Sequence, residues 1–595
     1  MLTDISKPFI LLDDARTTGA ADARLFTNPS EIADAACVEE VDGLLNVVDS
    51  WASSGDYCAG YLSYKAGHAF ETRLAENSAP SPNDWPYGWF GRFSTCTRIA
   101  AGEVAALLPD PSGAMVNAPA PGISYAAYER AFSAIIGHIK AGDIYQANLT
   151  FNAAVQIHGH PLSLYARLRS HACAGYGGIV FTGTSWALSF SPELFFAVRG
   201  GQIITRPMKG TAARHPDPAI DRGRAQELAR DAKQRAENLM IVDLLRNDLS
   251  RIAVPGSVAV PALFRVETYP TIHQMVSDVT AKLPPAITPS QLLSTLFPCG
   301  SITGAPKIRA MEIIASTEAA PRGVYTGSIG FFAPDGEAAF NVAIRTLLID
   351  ETTPKRNGGH CATLGLGSGI VADSIASDEW QECLAKGEFV RVAGAYFDLI
   401  ETMRFDPHDG LLLLDRHLAR LGASARALGF SFDRHVARNM LQHATFLSSE
   451  AAKVRIRLSP RGNMAIEVTP APPTPNAPVK AALASLPVRG DDVRLRHKTS
   501  DRAFYDDARM ASGAFEILFI DPEGRLTEGS FTNVFVMHEG ILLTPPLSLG
   551  LLPGVLRAEL IASGKAREAE LSAADLNGPF FIGNALRGLI RATLA

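Results

Sequence analysis

The chain has 595 residues, 47% of them hydrophobic and 19% charged, a globular composition sufficient for about four domain-sized units and free of disordered or collagen-like bias. A formal net charge of -6 leaves no basic footprint and argues against nucleic-acid binding. The seven cysteines are odd in number, scattered and without a Cys-x-x-Cys pair, so neither a disulfide framework nor a zinc site is expected; the apolar stretch Pro8 to Leu12 is too short for a signal-peptide core and no segment reaches membrane-spanning length, which reads as a cytoplasmic protein.

Two proline-rich stretches, Leu108 to Pro121 and Pro470 to Pro478, read as exposed connections. A further boundary falls near Lys386 to Ala395, where a helical pattern gives way to the hydrophobic run Tyr396 to Met403. The expected division is 1–390, with subregions 1–120 and 121–390, followed by 396–595, with subdomains 396–470 and 480–595.

In chain order, Ser124 is placed to cap a helix whose apolar face is Tyr128, Phe132, Ile135, Ile136 and Ile139, closed by Gly142. Ser185 to Val198 and Gln202 to Lys209 flank Arg199-Gly200-Gly201 and predict a hairpin, which folds Glu193 almost opposite Lys209. Lys209, at a strand end beside Gly210, is either a solvated surface charge or, if buried, an amine with a lowered pKa that can act as a nucleophile. Arg224 to Ile252 is strongly helical and carries Glu237; a helix over about Ser377 to Phe389 puts Glu379 and Glu382 on one face. Gly300 to Lys307 leads into a helix with Pro306 near its first turn, a candidate anion site. Gly365-Leu366-Gly367-Ser368-Gly369 lacks dinucleotide-loop spacing and is equally read as a tight turn between strands. In the second part, His417 to Leu421 fits a helix with Arg420 on one face.

Taken in order, Gly142-Asp143-Ile144-Tyr145-Gln146, Ser191-Pro192-Glu193, Pro207-Met208-Lys209-Gly210-Thr211, Glu237 to Leu244, Gly300 to Lys307 and Gly365 to Asp373 resemble the chorismate-utilising enzymes, the family of anthranilate synthase and aminodeoxychorismate synthase large subunits. The resemblance implies an α+β fold in which two facing β-sheets are flanked by helices. Lys209 resembles the aminodeoxychorismate synthases, since anthranilate synthases carry alanine there; Gln274 stands where the latter have a catalytic histidine, and Met208 replaces the usual isoleucine. By this resemblance Lys209 is the nucleophile that displaces the chorismate hydroxyl, Glu193 the general acid/base, and Glu237 and Glu382, with Glu379 behind them, the holders of Mg²⁺. Ser301, Thr303, Lys307, Tyr325, Arg345 and the Gly365, Gly367, Ser368 and Gly369 backbone are implied as substrate contacts. No cysteine stands in a Gly-x-Cys-x-Gly elbow, so ammonia arrives free or from a separate glutamine amidotransferase subunit. The segment Leu11 to Asp14 is implied to lie near an effector pocket.

His497-Lys498-Thr499, Leu526 to Val534 and Leu552 to Arg557 resemble the fold-type IV pyridoxal-phosphate enzymes, the group of branched-chain aminotransferases and aminodeoxychorismate lyase, which have a two-subdomain α/β fold and usually dimerise. The resemblance implies pyridoxal 5'-phosphate bound through Lys498, Glu528 at the pyridine nitrogen, Arg420 with the helix starting at Gly554 and Val555 at the phosphate, and Asn584 as a further contact. Ala503 occupies the position of an aminotransferase tyrosine, with Tyr505 two residues on, which leans towards a lyase; an aminotransferase or a non-catalytic module is the alternative. The linker replaces the strand and loop with which free-standing lyases begin. Together the halves imply amination of chorismate followed by pyruvate elimination to give 4-aminobenzoate for folate synthesis.

Overall fold

A computed structural model of the chain describes residues 2, 6–75, 85–268, 272–355 and 358–595. Among these, the residues up to Ile370 form two antiparallel sheets of 11 and 10 strands. The first sets Gln146–His158, His360–Ile370, Thr346–Asp350 and Ser185–Ser189 side by side; the second sets Met208–Ala213, Ile272–Lys282, Gln202–Arg206 and Leu194–Arg199 side by side. The sheets face each other across an aromatic layer in which Ile10, Phe26 and Val180 of the first meet Tyr61, Trp89, Phe93 and Phe331 of the second. The Phe26 and Phe331 ring centroids stand 5.8 Å apart, and burying such rings supplies most of the layer's cohesion. This is the expected α+β architecture.

The helix Tyr125–Lys140 begins as its sequence predicts, with the Ser124 side chain accepting from the Ala127 amide and Tyr128, Phe132 and Ile135 buried. Three other elements differ from expectation. Ser185 to Val198 is two strands, because Phe190 to Glu193, with a proline that cannot donate to a ladder, crosses from one sheet to the other. The helical stretch from Arg224 breaks at Asp231, whose carboxylate accepts from the Gln234 amide and starts a second helix, Ala232–Ser250. The pattern around Ser377 to Phe389 becomes Ala376–Lys386 and Glu388–Val392, interrupted at Gly387.

In the second part a four-stranded sheet, including Leu399–Asp406, Ala452–Leu458 and Met464–Pro470, packs on the helices Leu414–Leu428 and Arg434–Thr445. An eight-stranded mixed sheet follows, with Val479–Ser485 parallel to both Glu516–Ile520 and Gly588–Leu594. The Ile400 amide donates to the Lys498 carbonyl at 2.8 Å, so the two sheets meet at the lysine.

The reading of Leu108 to Pro121 as an exposed connection is corrected. Gly113, Ala114, Met115 and Val116 are buried, and the prolines lie at 109, 111, 119 and 121, flanking this apolar core rather than interrupting it. Met115–Val116 and Ala120–Pro121 both pair with Gln146–His158, so the sheet runs straight through residue 120. Among the described residues, no helix is long and apolar enough to cross a membrane.

Candidate functional site

Lys209 sits in a bulge. The pairing of Met208–Ala213 with Ile272–Lys282 slips between Met208 and Thr211, and Gly210 within the slip has φ +93°, a conformation natural to glycine. Gln274 fixes the loop by donating to the Gly210 carbonyl at 2.9 Å while accepting from the Thr211 hydroxyl at 3.0 Å. The bulge carries the lysine across to the other sheet: a Cβ added at Gly369 would stand 3.3 Å from Lys209 Nζ and 2.9 Å from Gln146 Nε2. Burial, the neighbouring Lys386 ammonium and weaker opposing carboxylates leave the Lys209 amine below its ordinary pKa.

Glu193 is buried, and burial pushes its carboxyl up to about 7 despite a hydrogen bond with Ser301 and the nearby Lys209 and Lys386 charges. The hairpin forms with Leu194 opposite Arg206, so Glu193 and Lys209 are not direct cross-strand partners; the chain's turns at Pro192 and at the bulge bring their charges together instead. Glu193 Oε1 and Gln146 Nε2 are buried without a hydrogen-bond partner among the described residues. Unpaired buried polar atoms beside an amine are costly and mark a ligand's place.

Gly365 to Gly369 is not a turn. It is the last half of the strand His360–Ile370, paired with Gln146–His158 on one side, while the partner strand Thr346–Asp350 leaves off at Leu364. The opposite edge therefore opens at the glycines. There the Tyr325 ring occupies the space a Gly365 Cβ would need, at 2.1 Å. Arg345, whose pKa burial lowers, has no acidic partner among the described residues, so the structural ion pair that would explain it blandly is not formed. Ser301 and Thr303 are buried in the short turn before Gly304; Thr303 caps that turn through the Cys299 and Gly300 carbonyls, and Ser368 lies against the Tyr128 hydroxyl. Lys307 is directed away: its Nζ is held by Asp248 at 2.6 Å and the Leu296 carbonyl at 3.1 Å.

Glu237 stands on the helix Ala232–Ser250, and Glu379 and Glu382 on the helix Ala376–Lys386; the Glu237 and Glu379 charges act on each other. Burial raises the Glu237 carboxyl, and Asp373 and Glu379 add to it while Lys209 and Lys233 oppose. Glu379 accepts from the Ser374 hydroxyl, and Glu382 is exposed and paired with Lys386 at 2.8 Å. No group of three or more metal-type side chains stands ready among the described residues. Carboxylate oxygens of this kind fit Mg²⁺, which takes few protein ligands and completes its shell with water and substrate oxygens, although Glu382 would have to exchange Lys386 for the ion. Lys386 escaped the sequence reading, although it donates to the Gly367 carbonyl at 2.8 Å.

A second site lies in a cavity of about 840 Å³ between the sheets of the second part. Burial, with Arg502 and Arg420 nearby, lowers the Lys498 amine to about 7. Burial raises Glu528 to about 7, where it accepts from the Tyr505 hydroxyl at 2.6 Å and the Leu552 amide at 3.1 Å. Tyr505, unassigned in the sequence reading beyond its offset from Lys498, is thus the support of that carboxylate. Arg420 grips Glu401 through two 2.7 Å bonds and reaches the Pro553 carbonyl, at the start of the helix Val555–Ala562. Burial alone pushes Glu401 up, but Arg420 and His417 outweigh it and hold its carboxyl at about 2. Gly554 leaves no room for a side chain, since a Cβ would fall 1.8 Å from Asn533 Oδ1. Asn584 lines the cavity with its amide engaged by the backbone at Phe531, Leu586 and Arg587. An amine, a carboxyl near 7 and an open helix start are the donor set pyridoxal phosphate requires. Leu12, Asp13 and Asp14 border a separate cavity of about 550 Å³.

Comparison with known proteins follows this division. Residues 7–391 match the model of the chorismate binding enzymes, and residues 398–595 that of amino-transferase class IV. Aminodeoxychorismate synthase component 1 of Salmonella typhimurium is 43% identical over 259 residues, 44% of this chain and 55% of the relative. Anthranilate synthase component 1 of Streptomyces coelicolor is 40% identical over 257 residues, covering 43% and 49%, so identity alone does not separate the two chemistries. The chain thus spans about half the length of the curated relatives it matches. Among solved structures, anthranilate synthase component I from Streptococcus pneumoniae shares the fold, with a TM-score of 0.53 at 24% identity over 63% of this chain and 93% of that one. With its family model covering well over half of the sequence, the chain belongs to the chorismate binding enzymes and carries an amino-transferase class IV region behind that domain.

Proposed function

We propose that the chain converts chorismate to 4-aminobenzoate in two reactions, taking ammonia from a separate glutamine amidotransferase subunit. The observation that carries this reading is Lys209 Nζ beside Gly369, with the buried Glu193 carboxyl near enough for the two charges to interact and one of its oxygens without a hydrogen-bond partner among the described residues. In the first reaction the neutral Lys209 amine forms a C–N bond to the chorismate ring as the C–O bond to the hydroxyl breaks. Glu193 delivers its proton to the departing oxygen, which leaves as water; ammonia then displaces the lysine. Arg345 and the open glycine edge hold a substrate carboxylate. Glu237, Glu382 and Glu379 would hold Mg²⁺, which neutralises the substrate's other carboxylate.

In the second reaction pyridoxal phosphate would be bound by Lys498, Glu528, Arg420 and the Gly554 helix start, and when bound it supplies an electron sink. Lys498 removes the proton from the amine-bearing ring carbon, the ring C–O bond to the enolpyruvyl group breaks, the fragment leaves as enolpyruvate and tautomerises to pyruvate, and the ring becomes aromatic. Glu528, kept near 7 and fixed by Tyr505, would be the group placed to hold a proton at the cofactor's ring nitrogen.

The test incubates the full chain with chorismate, ammonium, Mg²⁺ and pyridoxal phosphate and assays 4-aminobenzoate and pyruvate. Lys209→Ala is expected to abolish a lysine-bound substrate adduct in mass spectra and most of the amination. An unchanged rate in that variant would sink the covalent step, and pyruvate release that demands a keto-acid acceptor would reassign the second site to transamination.

A further inference from the structure

We propose that Arg455 recognises a carboxylate at the far end of the second-site substrate. The inference deepens the reading of that site given above.

Ala452–Leu458 alternates strictly. Ala452, Val454, Ile456 and Leu458 are buried in the core beneath the sheet, which turns Lys453, Arg455 and Arg457 to the other face. In most sheets that face meets water. Here it meets the Lys498 cavity, along with Ile400 and Thr402 of the neighbouring strand. The register sets Thr402 opposite Arg455 and Ile400 opposite Arg457, and the Ile400 amide is bonded to the Lys498 carbonyl, so Arg455 lies one pleat beyond the lysine's own contact.

Arg457 is exposed and tied to Asp398 at 2.7 Å. Arg455 differs: among the described residues it has no hydrogen bond or ion pair, and its Nε is buried without an acceptor. Glu467, its register partner on the third strand, is exposed and makes no ion pair with it. A buried guanidinium N–H left unpaired costs free energy that an incoming carboxylate would recover. Arg502 supplies a second cation in the same cavity. It donates to the Ser530 carbonyl, stacks 4.8 Å from the Tyr505 ring centre, forms no ion pair among the described residues, and its charge acts directly on Lys498.

The substrate of the proposed reaction carries two carboxylates at unequal distances from its amine. One is on the enolpyruvyl group beside the amine-bearing carbon, and the other lies across the ring. Arg502, whose charge acts on Lys498, suits the near one, and Arg455, which lines the same cavity from the strand face and is not among the charges acting on Lys498, suits the far one. The product keeps only the far carboxylate, so its affinity isolates Arg455.

The experiment compares full-chain Arg455→Gln and Arg455→Lys with the parent, loaded with pyridoxal phosphate. Calorimetry gives Kd for 4-aminobenzoate, with aniline as the carboxylate-free control, and pyruvate release gives kcat and KM. Arg455→Gln is expected to weaken 4-aminobenzoate and raise KM about 10- to 100-fold with kcat little changed, and Arg455→Lys to recover part. Aniline affinity, the visible cofactor band and the melting temperature stay as in the parent. Unchanged 4-aminobenzoate affinity, or an equal loss for aniline, overturns the proposal. If the parent releases no pyruvate, the lyase reading falls, while the Kd comparison still decides Arg455.

Discussion

In the amination proposed above, burial prepares Glu193 and Lys209 for one step. An opposite charge nearby normally drives an acid's pKa down and an amine's up, yet here desolvation dominates both, raising Glu193 to about 7 and lowering Lys209. The productive pair is protonated Glu193 with neutral Lys209. Amination is therefore expected to fall on the alkaline side, once Glu193, raised by burial to about 7, no longer holds the proton it must deliver while Lys209 is neutral. Glu193→Gln should lower kcat by roughly 10²- to 10⁴-fold and remove that decline; a glutamine variant with the parent's alkaline limb would show that another group is the acid. Single residues with distinctive chemistry, Lys209 and Lys498 among them, were legible because motifs name residue types. The roles of Tyr505 and Arg455 were not, since a buried hydroxyl on Glu528 and an orphaned guanidinium are facts of packing.

At the scale of elements, sequence periodicity found the capped helix at Ser124 and the hairpin at Gly200-Gly201, where one local signal decides the outcome. It failed where a choice of sheet decides: nothing local says that Ser185–Ser189 and Leu194–Arg199 belong to different sheets, or that Gly365 to Gly369 is an open strand edge rather than a turn. The bulge at Met208 to Thr211 is of the same kind, and it is what aims Lys209. Gly210→Ala forces a side chain into φ +93° and sets its Cβ 3.0 Å from Gln234 Oε1. A left-handed position of this sort costs about 1–2 kcal/mol. The variant should lose that much stability in urea denaturation and lose amination rate out of proportion, while pyruvate release at the distant second site keeps its parent rate. Equal losses at both sites would mean general unfolding, not a misdirected lysine.

For the whole molecule, the two halves share more than a linker. The Arg167 guanidinium holds the carbonyls of Ala393 and Gly394 at the join, and Arg494, which lines the second cavity, pairs with Asp110 at 2.7 Å as well as with Asp492. The last carbonyls of the helix Leu414–Leu428 lack partners within the helix; Ala427 finds two in the first half, His158 Nε2 at 2.8 Å and Asn117 Nδ2 at 3.3 Å. Burial lowers the His158 pKa, which keeps the ring neutral and able to donate from Nε2. Met115, in the stretch taken from sequence for an exposed connection, is 2% exposed and packs in the core of the second half with Leu399, Leu418 and Val454. Truncating a buried methionine costs roughly 2–5 kcal/mol. Met115→Ala should therefore lower the denaturation midpoint of the cofactor-bearing half, followed by its visible absorbance, although residue 115 lies in the chorismate-binding segment. An absorbance transition unmoved by Met115→Ala would mean that the halves fold as independent units joined only by the chain; a shift would make the first half part of the second site's frame.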